Sequence, residues 1–244
     1  MKLVEFKEIK GIITIKSGLH IGGGDSEMKI GGTDNPVIKH PHTFEPYIPG
    51  SSLKGKVRSL LEMRSGLMVH TDGSPVSLKT LKKASNEQQK IECSKILKLF
   101  GVSGSDSDED EIKKIGPCRI SFADCHLNDL WKKSALDANW AFTEMKTENS
   151  INRIAGTAEN PRITERVPSG AKFDFYVTLK KLDTESDDFK NEEKDLENLL
   201  LKGLKLLEMD ALGGSGSRGY GKIKFEFSDA EIKKKFENIE LFNK

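Results

Sequence analysis

Leu212-Gly213-Gly214-Ser215-Gly216-Ser217-Arg218-Gly219-Tyr220-Gly221 places five glycines in ten residues. Upstream, Leu196, Leu200, Leu204 and Leu207 recur at the spacing of one helical face; downstream, Ile223, Phe225 and Phe227 alternate as in a half-buried strand. The stretch therefore joins a helix to a strand. Glycines let such a connection turn sharply and present amide N–H groups to an anion, and Arg218 adds a charged fork. It is not a Walker loop, because it lacks Gly-Lys-Ser/Thr and leads into a strand rather than a helix. A flexible Gly/Ser turn is the alternative.

Working toward the N-terminus, Phe173, Phe175, Val177 and Leu179 mark another strand, and Cys118, Ile120 and Phe122 alternate with Arg119 and Ser121 in a third that ends near Asp124. Leu53, Val57, Leu60 and Leu61 give a helix after the Pro49-Gly50 turn, and residues 4–17 alternate around Ile9, Ile13 and Ile15. The order strand, helix, strand, strand, helix, strand predicts an α+β, ferredoxin-like (RRM-like) domain. Its sheet gives one face to two helices and the other to a partner. A short helix is expected over 229–237. Residues 66–116 read as an insertion with one helical stretch near 86–100 and a solvated, disordered acidic loop over 103–111. Residues 126–171, too long for a hairpin turn, read as a projecting arm.

The chain has 244 residues and a formal net charge of +1. The acid is segregated: residues 105–111 carry five acids and no base, and 183–197 carry eight acids and two lysines. The rest of the chain is left at +12, enough for a basic face toward a phosphate backbone. Asp106, Asp108 and Asp110 have calcium-loop spacing, but Glu111 stands where that loop needs glycine. Cys93, Cys118 and Cys125 form no Cys-x-x-Cys pair, which argues against zinc and disulfides; Cys118 reads as a buried free thiol. No apolar run approaches the ~20 residues of a membrane span, and no signal peptide is visible, so a cytoplasmic location is the default.

Two further stretches carry chemistry. Ile48-Pro49-Gly50-Ser51-Ser52-Leu53-Lys54-Gly55-Lys56-Val57-Arg58 opens a helix that Ser51 or Ser52 can cap, with Lys54 and Arg58 one turn apart. An ordinary capped helix with solvated lysines fits equally well. The segment His20-Ile21-Gly22-Gly23-Gly24, followed by Gly31-Gly32-Thr33-Asp34-Asn35-Pro36, holds one carboxylate in a glycine-rich loop, where Asp34 could ligate a metal or accept a proton. An Asx-type turn before the proline is the alternative.

Together these stretches resemble the RAMP superfamily of CRISPR proteins, and within it the backbone subunits of type III-A Csm complexes. Five blocks carry the likeness: 18–23, 32–37, 48–58, 144–166 with Glu148, Asn149, Arg153, Pro161 and Arg162, and 212–221. The resemblance implies one RAMP domain over 1–244, a ferredoxin-like palm with a helical insertion at 66–116 and a protruding thumb hairpin within the 126–171 insertion. It implies copies stacked head to tail along guide RNA (crRNA), other Csm subunits and a paired target RNA as partners, and a thumb that splays one nucleotide at intervals. It implies metal-dependent target cleavage at Asp34, with Mg2+ or alternatively Mn2+. RNA contacts are expected at His20, Ser51, Ser52, Lys54, Arg58, Arg153, Gly214, Ser215, Gly216, Ser217 and Arg218. Asp124, Glu144, Glu148 and Glu165 are further RNA-binding or assembly candidates.

Three other functions compete. A non-catalytic RNA-binding backbone differs in lacking cleavage at Asp34. A guide-processing CRISPR endoribonuclease typically has two ferredoxin-like modules, where one is found here. A nucleotide-binding metabolic enzyme needs strand–loop–helix placement, which 212–221 violates.

Overall fold

The computed structural model describes residues 1–23, 35–104, 106, 108–183 and 189–242. Its elements are β1 (Lys2–Ile15), α1 (Gly50–Arg64), α2 (Leu78–Lys83), α3 (Glu87–Phe100), α4 (Glu109–Ile115), β2 (Ile120–Phe122), α5 (Asp129–Asp137), β3 (Glu144–Ile151), β4 (Ala158–Arg166), β5 (Lys172–Asp183), α6 (Phe189–Met209), β6 (Ile223–Phe227) and α7 (Ala230–Glu237). Four strands form one antiparallel sheet in the order β2-β5-β1-β6. With α1 and α6 as the connecting helices, this is the ferredoxin-like topology read from the sequence.

Alternation fixes which face is buried. Ile9, Ile13 and Ile15 of β1, Phe173, Phe175, Val177 and Leu179 of β5, and Ile223, Phe225 and Phe227 of β6 all point to the helices. Leu53, Val57 and Leu61 of α1 meet Leu200, Leu204 and Leu207 of α6 in the same core. Gly203 permits the close crossing, since a Cβ there would stand 2.6 Å from Val57 Cγ1. The rings of Phe227 and Phe236 meet edge to face at 4.8 Å and close the core under α7. On the open face, Tyr176 donates its hydroxyl to Glu8, and the Lys10 ammonium lies 5.2 Å from the Tyr176 ring.

The 66–116 insertion is part of the core rather than an appendage. Leu67, Leu78, Cys93, Ile96, Leu97, Phe100 and Ile115 are all buried. The acidic segment is also ordered where described, contrary to the expected solvated loop. Asp108 caps α4 by accepting from the Glu111 N–H at 3.1 Å and pairs with Lys82 at 2.6 Å. Acids at a helix N-terminus meet its unpaired amides and positive dipole end, so the same run of charge that suggested disorder builds a helix start. The acids of α6 are neutralised in turn: Glu192 pairs with Lys98 at 2.5 Å, Glu193 with Lys181 at 2.7 Å, Asp195 with Lys95 at 2.7 Å, and Glu197 with Lys7 and Lys235.

Strand β2 is shorter than the alternation suggests. Arg119 is buried, its Nη1 donating to the Ile115 and Pro117 carbonyls, while Cys118 is only half-buried; Cys93 and Cys125 are the buried thiols. The 126–171 arm contains α5, which was not expected, followed by the β3–β4 hairpin. That hairpin is exposed almost throughout, and Ile154 at its tip is fully so. No helix among the described residues is long and apolar enough to cross a membrane.

Candidate nucleic-acid interface

Three chain segments distant in sequence converge at the root of the β3–β4 hairpin. The glycine loop folds back on residues 18–20: Gly214 N–H donates to the His20 carbonyl at 2.9 Å, and Gly221 N–H to the Gly18 carbonyl at 3.0 Å. Gly213 has φ +75°, and a Cβ there would lie 2.3 Å from the His20 carbonyl oxygen. Only glycine permits both that backbone and that approach. The loop's centre is a single 3-10 turn, Gly216–Arg218, entered through Ser215 at φ 58°. Ser217 and Arg218 are exposed on it.

The hairpin root is built around Tyr220, which is fully buried. Its hydroxyl donates to Glu148 at 2.9 Å, and its ring carries the Lys146 ammonium at 4.4 Å and the Arg166 guanidinium at 5.1 Å. Glu148 also pairs with Lys146 at 3.0 Å and Arg218 at 3.3 Å. The Lys146 contact, then the Tyr220 hydroxyl, holds the Glu148 carboxyl below the usual carboxylate range; burial pushes the Tyr220 phenol up. Arg166 completes the set by donating to Glu144 at 2.7 Å.

Glu165 anchors the third segment. Burial would raise its pKa, but the Lys39 ammonium at 2.6 Å, the Thr143 hydroxyl and the Val37 N–H at 3.0 Å together hold it below the ordinary value. Its own N–H donates to the Asn35 carbonyl at 3.1 Å, and its carbonyl accepts from His20 Nδ1 at 2.7 Å. A carbonyl only accepts, so the His20 ring donates through Nδ1, and Nε2 is its outward nitrogen. That Nε2 lies 3.7 Å from where a Cβ on Gly22 would be. Residues 24–34 lie outside the described residues, and Asp34 is among them. Both ends of that stretch are fixed here: Gly23 N–H donates to the Pro36 carbonyl at 3.3 Å, and Gly22 bridges Val37.

Thus His20, Glu144, Glu148, Glu165 and the 214–218 residues come together, and Arg153 sits apart, exposed on the hairpin tip turn. The α1 candidates divide. Ser51 and Ser52 lie inside the first helical turn and do not cap it; Pro49 is the N-cap, and Asp124 accepts the Gly50 N–H at 2.7 Å instead. Asp124 is therefore a helix-positioning carboxylate. Lys54 is half-exposed, and among the described residues it has no ion pair. Arg58 is engaged within the protein: its Nε donates to Glu62 at 2.7 Å, its Nη2 to the Val76 carbonyl at 2.6 Å, and it lies over the Phe100 ring. Lys54 and Arg58 have helical spacing, but the 66–116 insertion covers one and not the other. Arg58→Ala is expected to cost about 3 kcal/mol, or roughly 6–12 °C in Tm, by leaving Glu62 buried without its cation. RNA affinity of the folded variant should be unchanged; a loss of affinity with unaltered Tm would return Arg58 to the RNA.

Lys39, Thr143, Lys146, Arg166 and Tyr220 escaped sequence reasoning. Tyr220 had a signal, an aromatic inside a glycine loop; Lys39 had none, because its partner is 126 residues away.

The RAMP superfamily profile matches residues 12–224. A relative from Methanothermobacter thermautotrophicus named CRISPR system Cms endoribonuclease Csm3 is 40% identical over 235 residues, spanning 89% of this chain and 82% of its own. The Methanocaldococcus jannaschii protein of the same name is 41% identical over 219 residues, spanning 89% and 77%. Among solved structures, the crystal structure of a Csm3-Csm4 subcomplex in the type III-A CRISPR-Cas interference complex matches with a TM-score of 0.52 and 28% identity, over 96% of this chain and 85% of that one.

Proposed function

Since the chain belongs to the RAMP superfamily and, within it, to the Csm3 family, we propose that it is an endoribonuclease and backbone subunit of a type III-A CRISPR effector complex, binding guide RNA and cutting the paired target RNA. Other Csm subunits and further copies of itself, head to tail along the guide, are its protein partners. The observation that carries the reading is the convergence of the glycine loop, the hairpin root and the two ends of the Asp34 loop on one surface.

Guide pairing reads sequence, so the protein needs to grip backbone and shape. Exposed Ser217 and Arg218 on the glycine loop, with Lys54 on α1, suit phosphate. Arg218 is 54% exposed in its pair with Glu148, and such pairs contribute only about 0–1 kcal/mol. A phosphate can therefore take over its guanidinium at little cost. The hairpin, anchored at its root and apolar at its tip through Ile154, is suited to unstack a base step as a wedge.

Asp34 is the residue assigned to the scissile linkage. A distorted step frees the ribose from helical geometry, and its 2′-hydroxyl can then attack the adjacent phosphorus in line. The new bond is O2′–P and the bond broken is P–O5′, leaving a 2′,3′-cyclic phosphate and a 5′-hydroxyl. The 2′-proton passes either to the Asp34 carboxylate or, where Asp34 holds the ion, to water, and solvent protonates the leaving O5′.

A divalent cation, Mg2+ or Mn2+, is part of the proposal. The described residues contain no cluster of three or more His, Cys, Asp or Glu able to hold one. Glu144, Glu148 and Glu165 are already paired. Asp34 is the carboxylate proposed to hold the ion, which would take its other ligands from water and RNA phosphate oxygens, as Mg2+ often does. Bound there, the ion would neutralise charge on the phosphate.

A target carrying 2′-deoxyribose at the cut position is expected to bind with unchanged affinity and resist cleavage there, while flanking sites are cut normally. Cleavage at the normal rate would rule out the internal nucleophile.

A further inference from the structure

Beside the hairpin root lies a cleft of about 740 Å³, within the range of small-ligand sites (roughly 300–1,000 Å³). Trp131 and Trp140 both line it, and they are the only two tryptophans of the chain. Local geometry puts them there. Asn139 adopts the left-handed conformation (φ 56°) that ends α5, a role asparagine takes at little cost. The chain reverses so that Trp140 N–H donates to the Ala135 carbonyl at 2.8 Å. The Trp140 side chain is thrown outward and stays 60% exposed, while Trp131 is half-buried with its ring 6.0 Å from Phe142.

The cleft is continuous with the interface above. Glu144, on its wall, is held by Arg166, which stands over Tyr220. Thr143, also on its wall, hydrogen-bonds to Glu165, the anchor of residues 35–39. The lining says what fits. Glu144 is its one charged residue and is paired with Arg166, so the lining offers a phosphate no cation of its own. Exposed indole, with Asn139 and Ser169 as polar neighbours, suits a flat neutral ring with hydrogen-bonding edges.

Resting on the RNA-binding function proposed above, we infer that this cleft receives one unstacked nucleobase of the bound RNA, stacked on Trp140, while the neighbouring cluster holds its backbone. Neither the glycine loop nor Asp34 supplies this subsite.

Because both tryptophans lie here, tryptophan emission, excited where tyrosine does not absorb, reports on this cleft alone. The full chain is titrated with a dye-labelled single-stranded RNA, and separately with an oligomer of the same length whose bases are removed. Anisotropy of the dye reads binding, and tryptophan emission reads the cleft. Both oligomers should raise anisotropy, but only the base-bearing RNA should quench emission, following the same isotherm. Trp140→Ala should weaken RNA binding roughly tenfold, with Trp140→Phe retaining most of the affinity. Circular dichroism of the variants confirms folding. Binding without quenching, equal quenching by the abasic oligomer, or wild-type affinity in Trp140→Ala overturns the subsite while leaving the RNA-binding function standing. Absence of any anisotropy change overturns both.

Discussion

Asp34→Ala is expected to lower the single-turnover cleavage rate of guide-paired RNA by about 10²–10⁴-fold, the contribution of a positioned acid or base, with guide retention and target affinity unchanged. The separation follows from how the loop is tied down. Its beginning is held by Gly22 and Gly23 against Val37 and Pro36, and its end by Asn35 against Glu165. None of these bonds involves the Asp34 side chain. Removing a carboxylate from between fixed ends should leave those ends, and the surface they border, as they were. Asp34→Asn keeps the size and turn propensity of the side chain and removes its charge, so it should match the alanine variant in rate. A variant that loses guide RNA or fails to assemble would show Asp34 to be a turn residue, and a non-catalytic backbone would then be the better reading. Electrophoretic assembly assays and single-turnover cleavage on one preparation distinguish these outcomes.

Gly221→Ala is expected to abolish the glycine loop. A Cβ at this position would lie 2.0 Å from the Leu212 carbonyl oxygen, and φ is +73°. The obstacle is backbone, not a side chain that can swing away. Leu212 N–H in turn donates to the Gly221 carbonyl at 2.9 Å, so the contact cannot open without breaking the closure of the loop. Left-handed strain alone costs about 1–2 kcal/mol for a residue with a Cβ; the clash adds overpacking of about 1–3 kcal/mol. The sum, about 2–5 kcal/mol, corresponds to roughly 4–20 °C in Tm at this chain length, and RNA affinity should fall with it. Gly219→Ala is the control. It has φ +85° but nothing within 4 Å of its Cβ, so only the strain remains. Equal Tm values for the two variants, measured by calorimetry, would mean that the close approach contributes nothing.

The two halves of this molecule were unequally legible. The palm could be read because its strands bury one face: Ile9, Ile13 and Ile15, or Phe173, Phe175 and Val177, carry their own period. The glycine loop could be read because a helix and a strand flank it. The insertion was misread because composition does not say what charge meets; Asp108 looked like part of a solvated tract and is a helix cap with a lysine partner. The intramolecular partners of Arg58 went unread for the complementary reason. A cation on a helix looks the same whether water or Glu62 and Val76 surround it, and only the fold decides. Helix α5 escaped because it is short and buries little more than Ala135. The clamp on Tyr220 and the Lys39–Glu165 pair are products of long-range convergence that no local pattern encodes.

The contrast between the two ends of the β3–β4 hairpin has a mechanical consequence. A two-stranded ribbon is marginal by itself in water, and this one rests on little core: its outer two-thirds are solvent-bathed, whereas its base is locked by Tyr220, Arg166 and the Leu19–Val167 bridge. It is a lever with a stiff fulcrum and a compliant arm. Strain at the far end is absorbed along the ribbon before it reaches the pivot, so the tip can shift while Glu148, Tyr220 and Arg166 at the pivot keep their spacing.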